Sequence, residues 1–200
     1  LPPHCGFIMI DLHCHILPFM DDGPSAMEES MEMARIAVAD GIRHLVATPH
    51  TLNGIYCHTV TEIEHAVSAF QGILHGAGIP LLLYPGADVH LSQDMMGRIQ
   101  DQQACTVNNQ GKYILIELPS HSIPGRVEDE LFELKINGIT PVITHPERNI
   151  MIQNEPDILC RWVRKGALAQ VTAMSVVGEF GEMVGESART LLERRLIHII

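Results

Sequence analysis

Five short apolar runs in this chain each lead into a side chain able to bind a metal ion. The first ends in Asp11-Leu12-His13-Cys14-His15 and the second in Thr48-Pro49-His50. The third is followed by Gly86-Ala87-Asp88, the fourth ends at Glu117, and the fifth ends at His145, ahead of Pro146-Glu147-Arg148. In extended backbone, residues i and i+2 point to the same side, so His13 and His15 can aim two imidazoles at one ion. Imidazole mixed with carboxylate suits zinc, manganese or iron(II), whereas all-oxygen sets suit magnesium or calcium. Asp88 and Glu117 could bridge two ions, and Asp22, within Asp21-Asp22-Gly23, offers a further carboxylate.

Each residue taken alone has a duller reading. A single His-x-His arises by chance at strand ends. His50 and His145 each adjoin a proline and could be turn residues, Glu117 could be an ordinary strand-end acid, and Asp21-Asp22-Gly23 reads most simply as a solvated turn. Joint placement lifts the set: five successive strand ends carry a competent ligand. The other histidines, His4, His44, His58, His65, His75, His90, His121 and His198, read as surface or core residues.

The elements that must position these ligands alternate between short β-rich runs and helical patterns. Strands are expected at Phe7–Leu12, His44–Thr48, Pro80–Tyr84, Tyr113–Leu118, Pro141–Thr144, Ala167–Thr172 and Leu196–Ile200. Ser25 with Glu28 and Thr61 with Glu64 predict capping boxes for two helices, ended by Gly41 and by Gly76 and Gly78. Further helices are expected around Leu131 and Leu134, from a cap at Asn154 through Trp162, and near Gly181–Arg194. Repeated strand–helix units indicate a parallel α/β fold. Neither nucleotide-binding glycine fingerprint is present, which favours a barrel over an open doubly wound sheet. In a β/α barrel, the C-terminal ends of the strands are where active sites are built.

Bulk properties narrow the chemistry. Two hundred residues suit one domain, and 46% hydrophobic with 18% charged residues is ordinary for a soluble protein. A net charge of -11 argues against nucleic acid and against an anionic membrane as main partner. No apolar run is long enough for a membrane span, and the start carries no signal-peptide pattern. Cys5, Cys14, Cys57, Cys105 and Cys160 are scattered and odd in number, which predicts free thiols and a reducing cytoplasm. Cys14, lying between two candidate ligands, should face away from them. The cysteine-phosphatase loop C-x-x-x-x-x-R and the G-x-S-x-G elbow are both absent.

Several stretches together resemble a known family. They are Met9 to Pro18, Asp21-Asp22-Gly23-Pro24, Ala47-Thr48-Pro49-His50, Asn53-Gly54-Ile55-Tyr56, Tyr113 to Pro119, Pro141 to Asn149 and Gly166 to Ala173. They resemble PHP-superfamily manganese-dependent protein-tyrosine phosphatases of bacterial capsule and exopolysaccharide loci, the CpsB/YwqE type. The resemblance implies a distorted seven-stranded (β/α)7 TIM-like barrel, the PHP fold, over residues 9–200, with 1–8 as an N-terminal extension. It implies two or three Mn2+ ions, with Zn2+, Fe2+ or Mg2+ as substitutes, on His13, His15, Asp22, His50, Asp88, Glu117 and His145. Arg148 would contact phosphate. The implied substrate is phosphotyrosine on the tail of a bacterial tyrosine kinase controlling polysaccharide export; oligomer formation is left open. Two departures stand out. The family usually carries Glu where this chain has Asp88, and it continues into a Ser-Asp-Ala-His motif that would follow Ile200, so the barrel is expected to be incomplete at its C-terminus. Alternatives are another PHP phosphoesterase, such as one acting on histidinol phosphate, or a non-catalytic phosphotyrosine-binding module.

Overall fold

The computed structural model describes residues 9–200. The expected 1–8 extension, and the start of the first strand at Phe7, lie outside the described residues. Two compact units are present. The first runs to Asp88 and takes in Asp101–Gln110; the second comprises Val89–Gln100 and Gly111–Ile200.

The first unit is built on a parallel sheet in the order β1-β2-β4, from β1 (Met9–Cys14), β2 (Ile42–Ala47) and β4 (Leu82–Pro85). Leu45, Val46 and Ala47 are buried in succession, as expected of a parallel strand covered on both faces. Helices α1 (Met27–Ala39) and α2 (Val60–Gly76) make the crossovers. On α2, Val60, Ile63, Val67, Phe70 and Leu74 recur at helical spacing and are buried together. Its capping box uses Thr59 and Glu62 rather than the expected Thr61 and Glu64. The reason is that the apolar stripe begins at Val60, one turn before Ile63. The box expected at Ser25 and Glu28 does not form either. Ser25 instead donates its N–H (2.7 Å) and hydroxyl (3.3 Å) to Glu29, and α1 starts after Ala26.

In the second unit, β5 (Asp88–His90, starting at the boundary), β6 (Tyr113–Glu117), β7 (Thr140–Thr144) and β8 (Leu168–Gln170) lie in the order β5-β6-β7-β8. The β6–β7 and β7–β8 pairs are parallel. Helices α3 (Met95–Gln100), α4 (Val127–Ile136), α5 (Ile150–Asn154), α6 (Asp157–Arg164), α7 (Ala173–Val176) and α8 (Glu182–Glu193) complete it. The core gathers Ile114, Leu115 and Ile116 of β6, Leu134 of α4, Leu159 and Trp162 of α6 and Leu191 of α8. Asn154 does not cap α6; it ends α5, whose own cap is Asn149, accepting from the Ile152 N–H at 3.0 Å.

The parallel α/β class is thus borne out. The count of seven strands is corrected: eight strands in two sheets are present among the described residues. Two short ones, β3 (His50–Thr51) and β5, were not foreseen. Conversely, Leu196–Ile200 is not a strand. It makes one isolated bridge, Gln170 to Ile199, and its backbone bonds to Ala169 and Val171 come only from His198 and Ile199, so only a residue or two run beside β8. Among the described residues, no helix is long and apolar enough to cross a membrane.

Candidate metal centre

In the first unit the end of β1, the loop after it, β3 and the start of β5 bring five of the expected ligands together. His13 Nε2 and His15 Nε2 stand 3.3 Å apart. Asp88, wholly buried, has Oδ2 3.5 Å from His13 Nε2 and 3.6 Å from His50 Nδ1. Asp22, 69% exposed, has Oδ1 3.7 Å from His50 Nε2. Donor atoms of His13, His15 and Asp88, and again of His15, Asp22 and His50, lie within 4.8 Å of one another. Atoms bound about 2.0–2.2 Å from a single ion sit about 2.8–3.6 Å apart along the edges of an octahedron or tetrahedron. The spacings therefore fit divalent metal, and nitrogen mixed with oxygen fits zinc, manganese or iron(II) better than calcium.

Backbone packing places these groups. The Asp88 N–H donates to the Pro49 carbonyl at 3.1 Å, which ties the exit of β4 to His50. Gly86 has no room for a side chain, since a Cβ there would lie 2.6 Å from Val46 Cγ1 on β2. Asp11 accepts the His13 N–H at 3.0 Å; burial pushes its carboxyl up, and that hydrogen bond partly offsets the rise.

Two residues of this unit escaped sequence reasoning. Asp21 accepts from His15 Nδ1 at 2.5 Å and from the His50 N–H at 2.9 Å. Burial alone would raise its carboxyl, but the bond and charge of His15, with the His50 and Gly23 N–H groups, hold it below the usual carboxylate range. Tyr56 lies nearly parallel to His50, with 10° between the rings and 6.5 Å between centroids. The only signals were adjacency to Asp22 and the Asn53-Gly54-Ile55-Tyr56 stretch.

In the second unit Glu117, at the end of β6, faces two imidazoles. Its Oε2 is 3.4 Å from His90 Nδ1 and its Oε1 3.8 Å from His145 Nε2. His90 read as a surface or core histidine from sequence; its closeness to a strand-end acid was the missed signal. His145 holds a left-handed backbone (φ 33°, ψ 51°), which turns the chain from β7 into the 3-10 segment Pro146–Arg148. Arg148 Nη2 donates to Thr172 Oγ1 at 3.0 Å, and its guanidinium lies 4.1 Å from the centre of the Phe180 ring. Glu117, Ser120, His145, Arg148 and Asn149 line a cavity of about 90 Å3. Glu147, fully buried, accepts from the Thr172 N–H (3.1 Å) and the Ser175 hydroxyl (2.6 Å), so it braces the segment that Arg148 grips.

The family described as Capsular polysaccharide synthesis, CpsB/CapC matches residues 9–200. The chain belongs to the CpsB/CapC family. Among its CpsB/CapC relatives, Tyrosine-protein phosphatase YwqE of Bacillus subtilis (strain 168) is 40% identical over 192 residues, spanning 96% of this chain and 75% of YwqE. Tyrosine-protein phosphatase CpsB of Streptococcus pneumoniae is 28% identical over 197 residues, 96% of this chain and 81% of CpsB. A solved structure from work on YwqE and CpsB, metal-dependent tyrosine phosphatases, superposes with a TM-score of 0.91 and 39% identity, over 95% of this chain and 76% of that one. The resemblance read from the motifs is borne out at the level of this CpsB/CapC family.

Proposed function

We propose that this chain is a metal-dependent phosphomonoesterase that hydrolyses protein phosphotyrosine. The observation that carries the reading is the ligand-spaced group of His13, His15, His50 and Asp88 in a chain 40% identical to a tyrosine-protein phosphatase. The metal ligands on this reading are His13, His15, Asp22, His50 and Asp88 in the first unit and Glu117 and His145 in the second. Divalent ions held by these residues would supply Lewis acidity, lowering the pKa of a bound water toward neutral pH. Arg148 binds non-bridging phosphate oxygens with its guanidinium, held by Thr172 and Phe180. A planar, always-charged fork suits that task. The tyrosyl leaving group, a phenol of pKa about 10, departs as a comparatively good anion, so strong general-acid help is less necessary.

Manganese as the ion, a cytoplasmic location and the tail of a bacterial tyrosine kinase as substrate belong to the same proposal. So does the closing of these strands into a distorted TIM-like barrel, which a crystal structure of the chain would test. Para-nitrophenyl phosphate, a phosphotyrosine peptide and histidinol phosphate, assayed side by side with Mn2+, Zn2+, Fe2+, Mg2+ or a chelator, decide the function. Turnover of both aryl phosphates that the chelator abolishes is the expected result. Preference for histidinol phosphate, or peptide binding without turnover, would overturn it.

A further inference from the structure

We infer that Asp21 is the positioning residue of the first-unit metal centre: it touches no ion itself, yet it fixes both His15 and His50 for metal capture. The inference rests on the metal-binding reading above. One oxygen, Oδ2, accepts both from His15 Nδ1 (2.5 Å) and from the His50 backbone N–H (2.9 Å). The other, Oδ1, accepts the Gly23 N–H at 3.0 Å. Three donors from three places in the chain therefore meet one carboxylate, whose side chain is 1% exposed.

The chemistry follows from which nitrogen is occupied. With the proton on Nδ1 given to Asp21, His15 presents the Nε2 lone pair, and that atom lies 3.3 Å from His13 Nε2. A carboxylate behind a histidine in this way fixes the tautomer, stops ring rotation and raises the basicity of the ligating nitrogen. The grip on the His50 backbone adds a second effect. It locks the start of β3, so the His50 ring keeps its position beside Asp88. A ring centroid distance of 4.5 Å between His15 and His50 shows how closely the two gripped residues lie.

An independent feature of the same loop agrees. At Gly23 a Cβ would come within 2.6 Å of the His15 carbonyl oxygen and 3.0 Å of Asp21 Oδ1. The loop folds back against His15 so closely that only glycine fits there, and this closeness delivers Asp21 to the imidazole. Asp22, its neighbour, points instead to solvent and to the ring Nε2 of His50. Two adjacent carboxylates thus divide the labour between holding the ligands and offering a donor atom.

The test is the affinity of the metal-free chain for Mn2+, and separately for Zn2+, measured by equilibrium dialysis with elemental counting. Asp21→Asn is expected to weaken binding about 10–100-fold. In a His15→Ala background the same change is expected to cost only about twofold or less, because the contact with His15 is already gone and the asparagine oxygen can still accept the His50 N–H. Wild-type affinity in Asp21→Asn overturns the inference. So does an equal loss in both backgrounds, which a general loosening of the fold would produce. Should Asp21→Asn yield no folded protein, Gly23→Ala carries the test: it drives the loop off His15, is expected to weaken Mn2+ binding at least tenfold, and overturns the inference if it binds like wild type. A wild-type chain that holds neither metal overturns the proposed function as well; a metal-binding wild type with an unaffected Asp21→Asn overturns this inference alone.

Discussion

His13 Nε2 lies 3.5 Å from Asp88 Oδ2, joining the end of the first strand to the start of a later one through a carboxylate that is shut off from water. A buried acid beside two imidazoles is costly unless a cation or proton balances it. The double variant His13→Ala, His15→Ala is expected to lose bound metal and phosphatase activity while its circular dichroism stays close to wild type. Unchanged metal content by elemental analysis would contradict the ligand assignment.

Arg148 is held on two sides, by Thr172 and by the face of Phe180. Removing one preorganised donor to developing charge commonly lowers kcat by about 100-fold or more, and Arg148→Ala is expected to do so with para-nitrophenyl phosphate. Arg148→Lys is expected to recover only a small part, since an ammonium cannot bond Thr172 and stack on Phe180 together. Full recovery by lysine in steady-state assays would reduce the role of Arg148 to simple charge.

Glu147 supports that arrangement from within the core. In Glu147→Ala the part-buried Thr172 N–H and the buried Ser175 hydroxyl lose their acceptor, and a buried orphan costs about 1–3 kcal/mol. Ser175→Ala removes only one partner and should cost about 0.5–1.5 kcal/mol. Urea melts of the metal-free chain check the order of the two; equal or reversed losses would contradict it.

Burial, with the neighbouring charges of Asp11 and Asp21, pushes the Cys14 thiol up to about 12. At pH 8 only about one such thiol in 10,000 is ionised, and the thiolate is the reactive form. Iodoacetamide at that pH should therefore modify the exposed Cys57 and spare Cys14, as read by peptide mass spectrometry. The stability effect has a definite sign. The folded state holds the Cys14 proton more tightly than the unfolded state, so this contribution is complete below the ordinary thiol value of 9.0 and is lost as pH rises toward about 12. Rapid labelling of Cys14 in the folded chain would contradict this placement.

Much of the scaffold could be read from sequence because its determinants are local. The stripe from Ile63 to Leu74 fixes a helix, and the run Ile114-Leu115-Ile116 fixes a strand covered on both faces. The short strands could not be read: His50–Thr51 is two residues long and carries no period, and the Asp88 N–H bond to Pro49 depends on distant chain. Leu196–Ile200 misled in the opposite sense, being apolar enough for a strand yet paired at a single bridge. All the candidate ligands but Asp22 were recognisable because each closes or closely follows an apolar run. Asp21 and His90 were not, since a turn residue and a polar strand residue gain meaning only when His15 and Glu117 come beside them.

The close fit of Gly86 against Val46 has a practical side. Any scan that replaces residues one at a time will register position 86 as though it handled metal, because even alanine must push the Val46 side chain aside or shift Asp88. Such a hit would mark a steric fulcrum rather than a reactive group, and trimming Val46 to alanine at the same time should relieve it.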